Sequence, residues 1–217
     1  DNFSDIFKIL KKNERKHQIT SILTADHGFN TKTTNYFDIE SLVKNIDSSL
    51  RVVNEARFAA LYYMATPTAD QLLTSSAQLL KMNNIEIVAY KAGNRVRILT
   101  KNKEYYFDEL AQSNCLIEFI NISFNGSAAV CTNQLSPAVN NEIYPFFIEN
   151  LASYFHLSKS PDILVIPAAN TIFSRHGLGF HGGPTEEETI VPLLMRNAKL
   201  QNSEQIMPSW QLLNFVN

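Results

Sequence analysis

The chain is poor in cysteine, has no long apolar run and carries no excess charge of either sign. Each shortage removes a class of protein. Cys115 and Cys131 are the only 2 cysteines in 217 residues, and neither stands in a C-x-x-C spacing. A disulfide framework and a thiolate zinc site are therefore excluded, and free buried thiols in a reducing compartment are expected. No apolar stretch nears the roughly 20 residues that cross a bilayer as a helix. Lys and Arg number 19 against 21 Asp and Glu, for a net charge of −2. The one basic run, residues 8–16, falls on a predicted helix as a solvated face, so no extended nucleic-acid surface is expected. A nucleotide as a small substrate stays open. Internal repeats and low-complexity tracts are also missing, and three N-x-S sequons, at Asn2, Asn121 and Asn125, are no more than chance supplies.

What is there reads as one substantial domain with an insertion. The chain opens on Asp1 without a methionine or a signal-peptide pattern, and a helical period begins at once with Phe3, Ile6, Phe7, Ile9 and Leu10. Such a start is expected of a segment cut from a longer protein. A helix over 4–13, an apolar strand over 19–24 and a loop at Asp26-His27-Gly28 follow the grammar of an α/β sheet with a parallel core. Residues 36–46 are ambiguous between helix and strand. Strands are predicted over 51–54 and 57–64, then a helix over 68–82 capped by Thr68 or Asp70. Residues 85–90 and 96–100 flank Ala92-Gly93-Asn94 as a hairpin, with a short third strand at 105–107. A strand over 115–124, a turn at Asn125-Gly126, an amphipathic helix over 141–155 with Pro145 in its first turn, and a buried strand over 163–166 complete the pattern. The expected organisation is an α/β fold with a mostly parallel core from 1–50 and 115–217, and an α+β insertion or cap at 51–114.

Two stretches carry chemistry. The first is Thr24-Ala25-Asp26-His27-Gly28, an acid–imidazole pair at the carboxyl end of a strand, where open α/β sheets bind ligands. A carboxylate and an imidazole together suit zinc or a similar divalent ion. The plainer alternative is an acid bonding turn amides, with His27 half-exposed. The second is Phe180-His181-Gly182-Gly183-Pro184-Thr185-Glu186-Glu187-Glu188-Thr189-Ile190-Val191-Pro192-Leu193-Leu194: a histidine on a glycine turn, one helical turn and a buried apolar strand. Glycines beside His181 permit unusual backbone angles and close approach of a bound group. Thr185 and Glu188 fit a capping box, so residues 186–188 are assigned to capping and not to metal. Arg175 and His176 are candidates for contact with an anionic substrate, with a loop surface as the alternative. His17 reads as an exposed linker residue and His156 as a partner of a helix C-terminal dipole.

Taken together, Thr-Ala-Asp-His-Gly and His-Gly-Gly-x-Thr-x-Glu-Glu-x-Ile-Val-Pro resemble the alkaline phosphatase superfamily. The closest likeness is to the PglZ domain, with nucleotide pyrophosphatase/phosphodiesterases second. The resemblance covers both ends of the chain and treats 29–140 as a variable insertion. It implies a two-metal phosphohydrolase acting on a phosphodiester or nucleotide-type phosphate ester, with zinc foremost and manganese or magnesium as alternatives. Asp26 and His27 would hold one metal, and His181 would help hold the other. The superfamily also needs a strand-end Asp, a Thr or Ser nucleophile and an Asp-x-x-x-His pair ahead of Asp-His-Gly. Only about 25 residues precede Asp26, and none of these parts can be placed there. Two metals about 4 Å apart clamp an in-line phosphoryl displacement, and three protein ligands do not hold both. The expectation is the C-terminal half of a larger, cytoplasmic enzyme, with its nucleophile and remaining ligands in the missing N-terminal half. Alternatives are a phosphomutase of the same superfamily and a non-catalytic interaction module whose surface would be 58–63 and 85–107.

Overall fold

A computed structural model describes residues 2–14, 21–93, 95–108, 116–119, 131–132, 144, 147–174 and 180–196. Arg175 and His176, His17, Cys115, the Asn125-Gly126 turn and Pro145 lie outside the described residues. The chain divides into two compact units, residues 1–28 with 190–217 and residues 29–189.

In the first unit, helix α1 (Asn2–Glu14) carries Lys11 and Lys12 in its last turn, where cations complement the helix dipole. Strand β1 (Ser21–Leu23) pairs antiparallel with the late strand Leu194–Arg196. The buried apolar strands expected here take a different form. β1 is half-buried with Leu23 at 38 % exposure, and Leu194 is 62 % exposed. Residues 190–193 form no regular element, consistent with Pro192, which cannot donate to a ladder.

The second unit is built on a sheet of eight strands. After the two-residue β2 (Asn35–Tyr36), Asp38 caps α2 (Ile39–Ile46) by accepting from the Ser41 N–H, so that the ambiguous segment 36–46 is a helix from residue 39 onward, with Tyr36 in the preceding strand. Among the described residues then come β3 (Leu50–Asn54), β4 (Ala59–Tyr63), α3 (Ala69–Leu80), β5 (Ile85–Ala92), β6 (Arg95–Thr100), β7 (Glu104–Asp108), β8 (Leu116–Phe119), β9 (Cys131–Thr132), α4 (Phe147–His156), β10 (Ile163–Pro167), β11 (Thr171–Ile172) and the single-turn α5 (Glu186–Thr189). Strand Leu194–Arg196, in the first unit, is β12. Thr68 starts α3 through a complete capping box with Gln71.

The strand order is β3-β4-β10-β5-β6-β7-β8-β9, and every neighbouring pair is antiparallel. The fold is mixed α/β, but the mostly parallel core expected from the sequence is not what residues 29–189 build. The physical reason lies in two places. Short connections such as the one at Gly93 (φ 64) force antiparallel hairpins. In addition, β4, α3 and β5 do form a strand–helix–strand unit whose strands run the same way, but β10 inserts between them and runs against both. The one parallel pairing among the described strands is β2 with β11.

β10 is apolar and buried along its whole length, and its alternate residues feed two cores. Ile163 and Val165 join Ile39, Val43, Leu61, Leu79 and Val88 beneath α2 and α3. Leu164 and Ile166 join Ile87, Ile98, Phe147, Leu151 and Phe155 beneath α4. Each fully buried Leu, Ile or Phe contributes roughly 1.5–3 kcal/mol relative to exposure. The segment 51–114, expected as an insertion, thus shares one sheet with β10 of the expected core. β10 is hydrogen-bonded on both sides to that segment, and both fall within the one compact unit of residues 29–189. Within residues 58–63, Ala59, Ala60 and Leu61 are buried at 0–1 % exposure in the interior strand β4, while Phe58, Tyr62 and Tyr63 are half-buried.

Candidate functional site

Within the first unit, Asp26 and His27 close on one another. The His27 backbone N–H donates to Asp26 Oδ1 at 3.1 Å, and His27 Nε2 lies 3.5 Å from Asp26 Oδ2. His27 Nδ1 lies 2.9 Å from the Gly28 carbonyl oxygen. A carbonyl only accepts, so Nδ1 carries the proton, and in the neutral ring Nε2 presents its lone pair. The Asp26 side chain is 87 % exposed and that of His27 is 38 % exposed. The amide bond to Asp26 and the half-exposed ring match the plainer alternative for this pair. The same geometry also fits a metal. The backbone fixes the tautomer of His27 as a metal-binding imidazole requires, and an oxygen donor and a nitrogen donor face one another. Among the described residues, no group of three or more His, Cys, Asp or Glu side chains gathers as a metal-binding cluster.

Within the second unit, His181 is exposed on a turn fixed from several sides. Asn30 and Phe180 exchange backbone hydrogen bonds, 2.8 Å from Asn30 N to Phe180 O and 3.0 Å in return. The Phe29 N–H donates to the Glu187 carbonyl at 3.0 Å, and Lys32 pairs with the Glu187 carboxylate. Asn30 is buried, and its side chain spans from the Lys32 N–H to the Ala169 carbonyl. The Phe29 ring sits 6.3 Å from the His181 ring, tilted by 32°. Residues 29–32, which directly follow the Asp-His-Gly motif, therefore lie against the segment that carries His181.

Beneath this turn lies a feature that the sequence concealed. Glu188 does not complete an ordinary capping box. Its carboxylate is 0 % exposed and receives a two-pronged bond from Arg57, itself 0 % exposed: Nε to Oε1 and Nη2 to Oε2, each 2.8 Å. Thr185 Oγ1 donates to Oε2 at 2.6 Å, and the Gly183 N–H donates to Oε1 at 3.1 Å. Arg57 Nη1 donates to the Thr171 carbonyl at 2.5 Å. The carboxylate thus accepts four bonds, which answers the desolvation of a buried charge. Thr185 and Glu188 do meet, as their spacing suggests, but hydroxyl to carboxylate. Glu186 and Glu187 stay exposed in the first turn of α5. Arg57 had no local signal, because its partner is 131 positions away.

The two glycines of the motif have separate reasons. Gly182 adopts φ 85, a region that penalises any side chain. Gly183 leaves no room for one, since a Cβ there would lie 2.5 Å from Glu188 Oε2 and 2.7 Å from Arg57 Nε. Close by, the Tyr144 hydroxyl donates to Glu86 Oε2 at 2.6 Å, and burial beside that carboxylate pushes the phenol well above its usual range.

Compared with known proteins, the chain matches no protein-family model, no curated protein and no solved structure.

Proposed function

We propose that the chain is part of a two-metal phosphohydrolase of the alkaline phosphatase type, acting on a phosphodiester or nucleotide-type phosphate ester. Asp26 and His27 supply ligands to one metal and His181 to the other. Zinc is the first choice for a site of imidazole and carboxylate donors, with manganese or magnesium next. The bound metals would neutralise charge on the phosphoryl oxygens and lower the pKa of the attacking hydroxyl. Part of this proposal is a parallel core of the superfamily type, to which β1 would belong. The nucleophile and the remaining ligands would then lie outside residues 1–217, and the enzyme would work in the cytoplasm.

The observation that carries the proposal is the pairing in His27: Nδ1 bound to the Gly28 carbonyl and Nε2 turned towards Asp26. Histidine ligands have this arrangement, in which the second nitrogen is fixed by a backbone oxygen. The glycine-flanked turn at His181 adds to it, as does the packing of Phe29 and Asn30 against Phe180 and His181. The test is metal content and bis-(p-nitrophenyl) phosphate hydrolysis by the full-length protein, with and without His181→Ala. Loss of metal and of turnover in the variant is expected; undiminished metal and activity would overturn the assignment.

A further inference from the structure

We propose that Arg57 is a positioning residue for the His181 turn, acting through the buried carboxylate of Glu188. The chemical consequence rests on the phosphohydrolase proposal; the structural one does not. His181 is itself exposed, and its turn contains Gly182 at a φ of 85, so the backbone there needs an external hold. Glu188 supplies it by accepting the Gly183 N–H and the Thr185 hydroxyl, one bond on each of its oxygens. A lone carboxylate with its lengthy side chain would not stay fixed in that place. The Arg57 fork removes the freedom, since two parallel N–H···O bonds fix both the position and the plane of the carboxylate.

Arg57 is in turn set from the sheet. It follows Ala56, a non-glycine residue in the left-handed region at φ 62. That strained turn between β3 and β4 is closed by Asn54, whose Oδ1 accepts the Ala56 N–H at 2.9 Å and whose Nδ2 donates to the Phe173 carbonyl. The Phe173 N–H donates back to the Ala56 carbonyl at 2.8 Å, and Arg57 Nη1 holds Thr171. A continuous chain of bonded groups therefore runs from the rigid sheet, through Arg57 and Glu188, to Gly183, two residues from His181. The ion pair also occupies the space that a side chain at position 183 would need.

Two variants of the full-length protein test this from opposite sides. Arg57→Lys keeps the charge but not the fork, and Gly183→Ala pushes on the pair without changing a charge. Leu79→Ala, in the core beneath α3, is the control for loss of stability alone. Backbone amide exchange is followed by NMR without metal, with the amide at position 183 compared against the amides of β10. Both test variants are expected to speed exchange of the residue-183 amide, corrected for its intrinsic rate, at least about tenfold relative to β10, the loss of roughly one hydrogen bond to a charged group. Leu79→Ala should shift both together. Zinc affinity, read by calorimetry, should fall about 10- to 100-fold in the test variants, as for other outer partners of metal ligands, and not in the control. On the phosphodiester, kcat should fall while KM holds. Unchanged relative exchange at position 183 in both variants would overturn the proposal. So would an equal fall of zinc affinity in Leu79→Ala. A wild-type protein that takes up no zinc removes the phosphohydrolase instead, and the exchange ratio alone then decides whether Arg57 holds the turn.

Discussion

The Arg57–Glu188 pair allows a sharp energetic forecast. Arg57→Met leaves a buried carboxylate with two of its four donors, Gly183 N–H and Thr185 Oγ1. Removing one partner of a buried ion pair costs about 3–5 kcal/mol. At about 2 kcal/mol per molar urea, a loss near 4 kcal/mol lowers the unfolding midpoint by about 2 M. Glu188→Gln should cost a similar amount, although it conserves shape. An amide nitrogen in place of Oε1 would face two fixed donors, Arg57 Nε and Gly183 N–H. In place of Oε2 it would face Arg57 Nη2 and a hydroxyl that can turn to accept. The glutamine therefore settles with its oxygen towards Gly183 and one N–H opposing the arginine. The double variant Arg57→Met/Glu188→Gln contains neither stranded charge and keeps the Gly183 and Thr185 bonds. It should be less destabilised than either single change by itself, for a coupling of at least about 3 kcal/mol. Urea denaturation of the four proteins followed by circular dichroism measures the cycle. Losses in the single variants that simply add in the double, within about 0.5 kcal/mol, would refute a buried charge pair at this position.

Two other outcomes can be measured on the same material. Thr68→Ala removes the side chain that accepts the Gln71 N–H at the start of α3 and should cost about 0.5–2 kcal/mol in the same denaturation assay. Tyr63, Tyr90, Tyr144 and Tyr154 all have phenols raised above their ordinary range, chiefly by burial. The folded form thus holds these protons where the unfolded chain releases them. Their contribution is complete below the ordinary phenol value of about 10 and is lost as pH climbs above it. Thermal unfolding temperature should fall from about pH 10 upward, together with a delayed rise in tyrosinate absorbance; absorbance that rises as in free tyrosine while the fold persists would contradict the burial of these rings.

Much of the local structure was legible because it depends on neighbours in the chain. The Thr68–Gln71 cap, the turn at Gly93 and the apolar run of β10 each declare an element within a few residues. Residues 36–46 stayed ambiguous until Asp38 was seen to cap α2, since the apolar spacing there suits either period. Of the candidate site, the sequence supplied Asp26, His27 and His181 as residue types of the right chemistry, and the bond from His27 Nδ1 to Gly28 is local enough to follow from the motif. The part played by Glu188 is hidden from the local sequence for a physical reason. A Thr and a Glu three residues apart satisfy a helix cap locally, and nothing in that spacing reveals an arginine 131 positions away.

The sequence by itself determined roughly where most strands and helices lie, which faces are apolar, and which side chains could carry chemistry. These are consequences of short-range sterics, hydrogen bonding and hydrophobic period. Only the tertiary structure decided that β10 runs antiparallel between β4 and β5, turning a sequence that reads as strand–helix–strand into an antiparallel sheet. Only it decided that Arg57 and Glu188 share a dry site beneath Gly183. Strand order and buried charge pairing are long-range choices, settled by which surfaces can leave water together, and no local pattern encodes them.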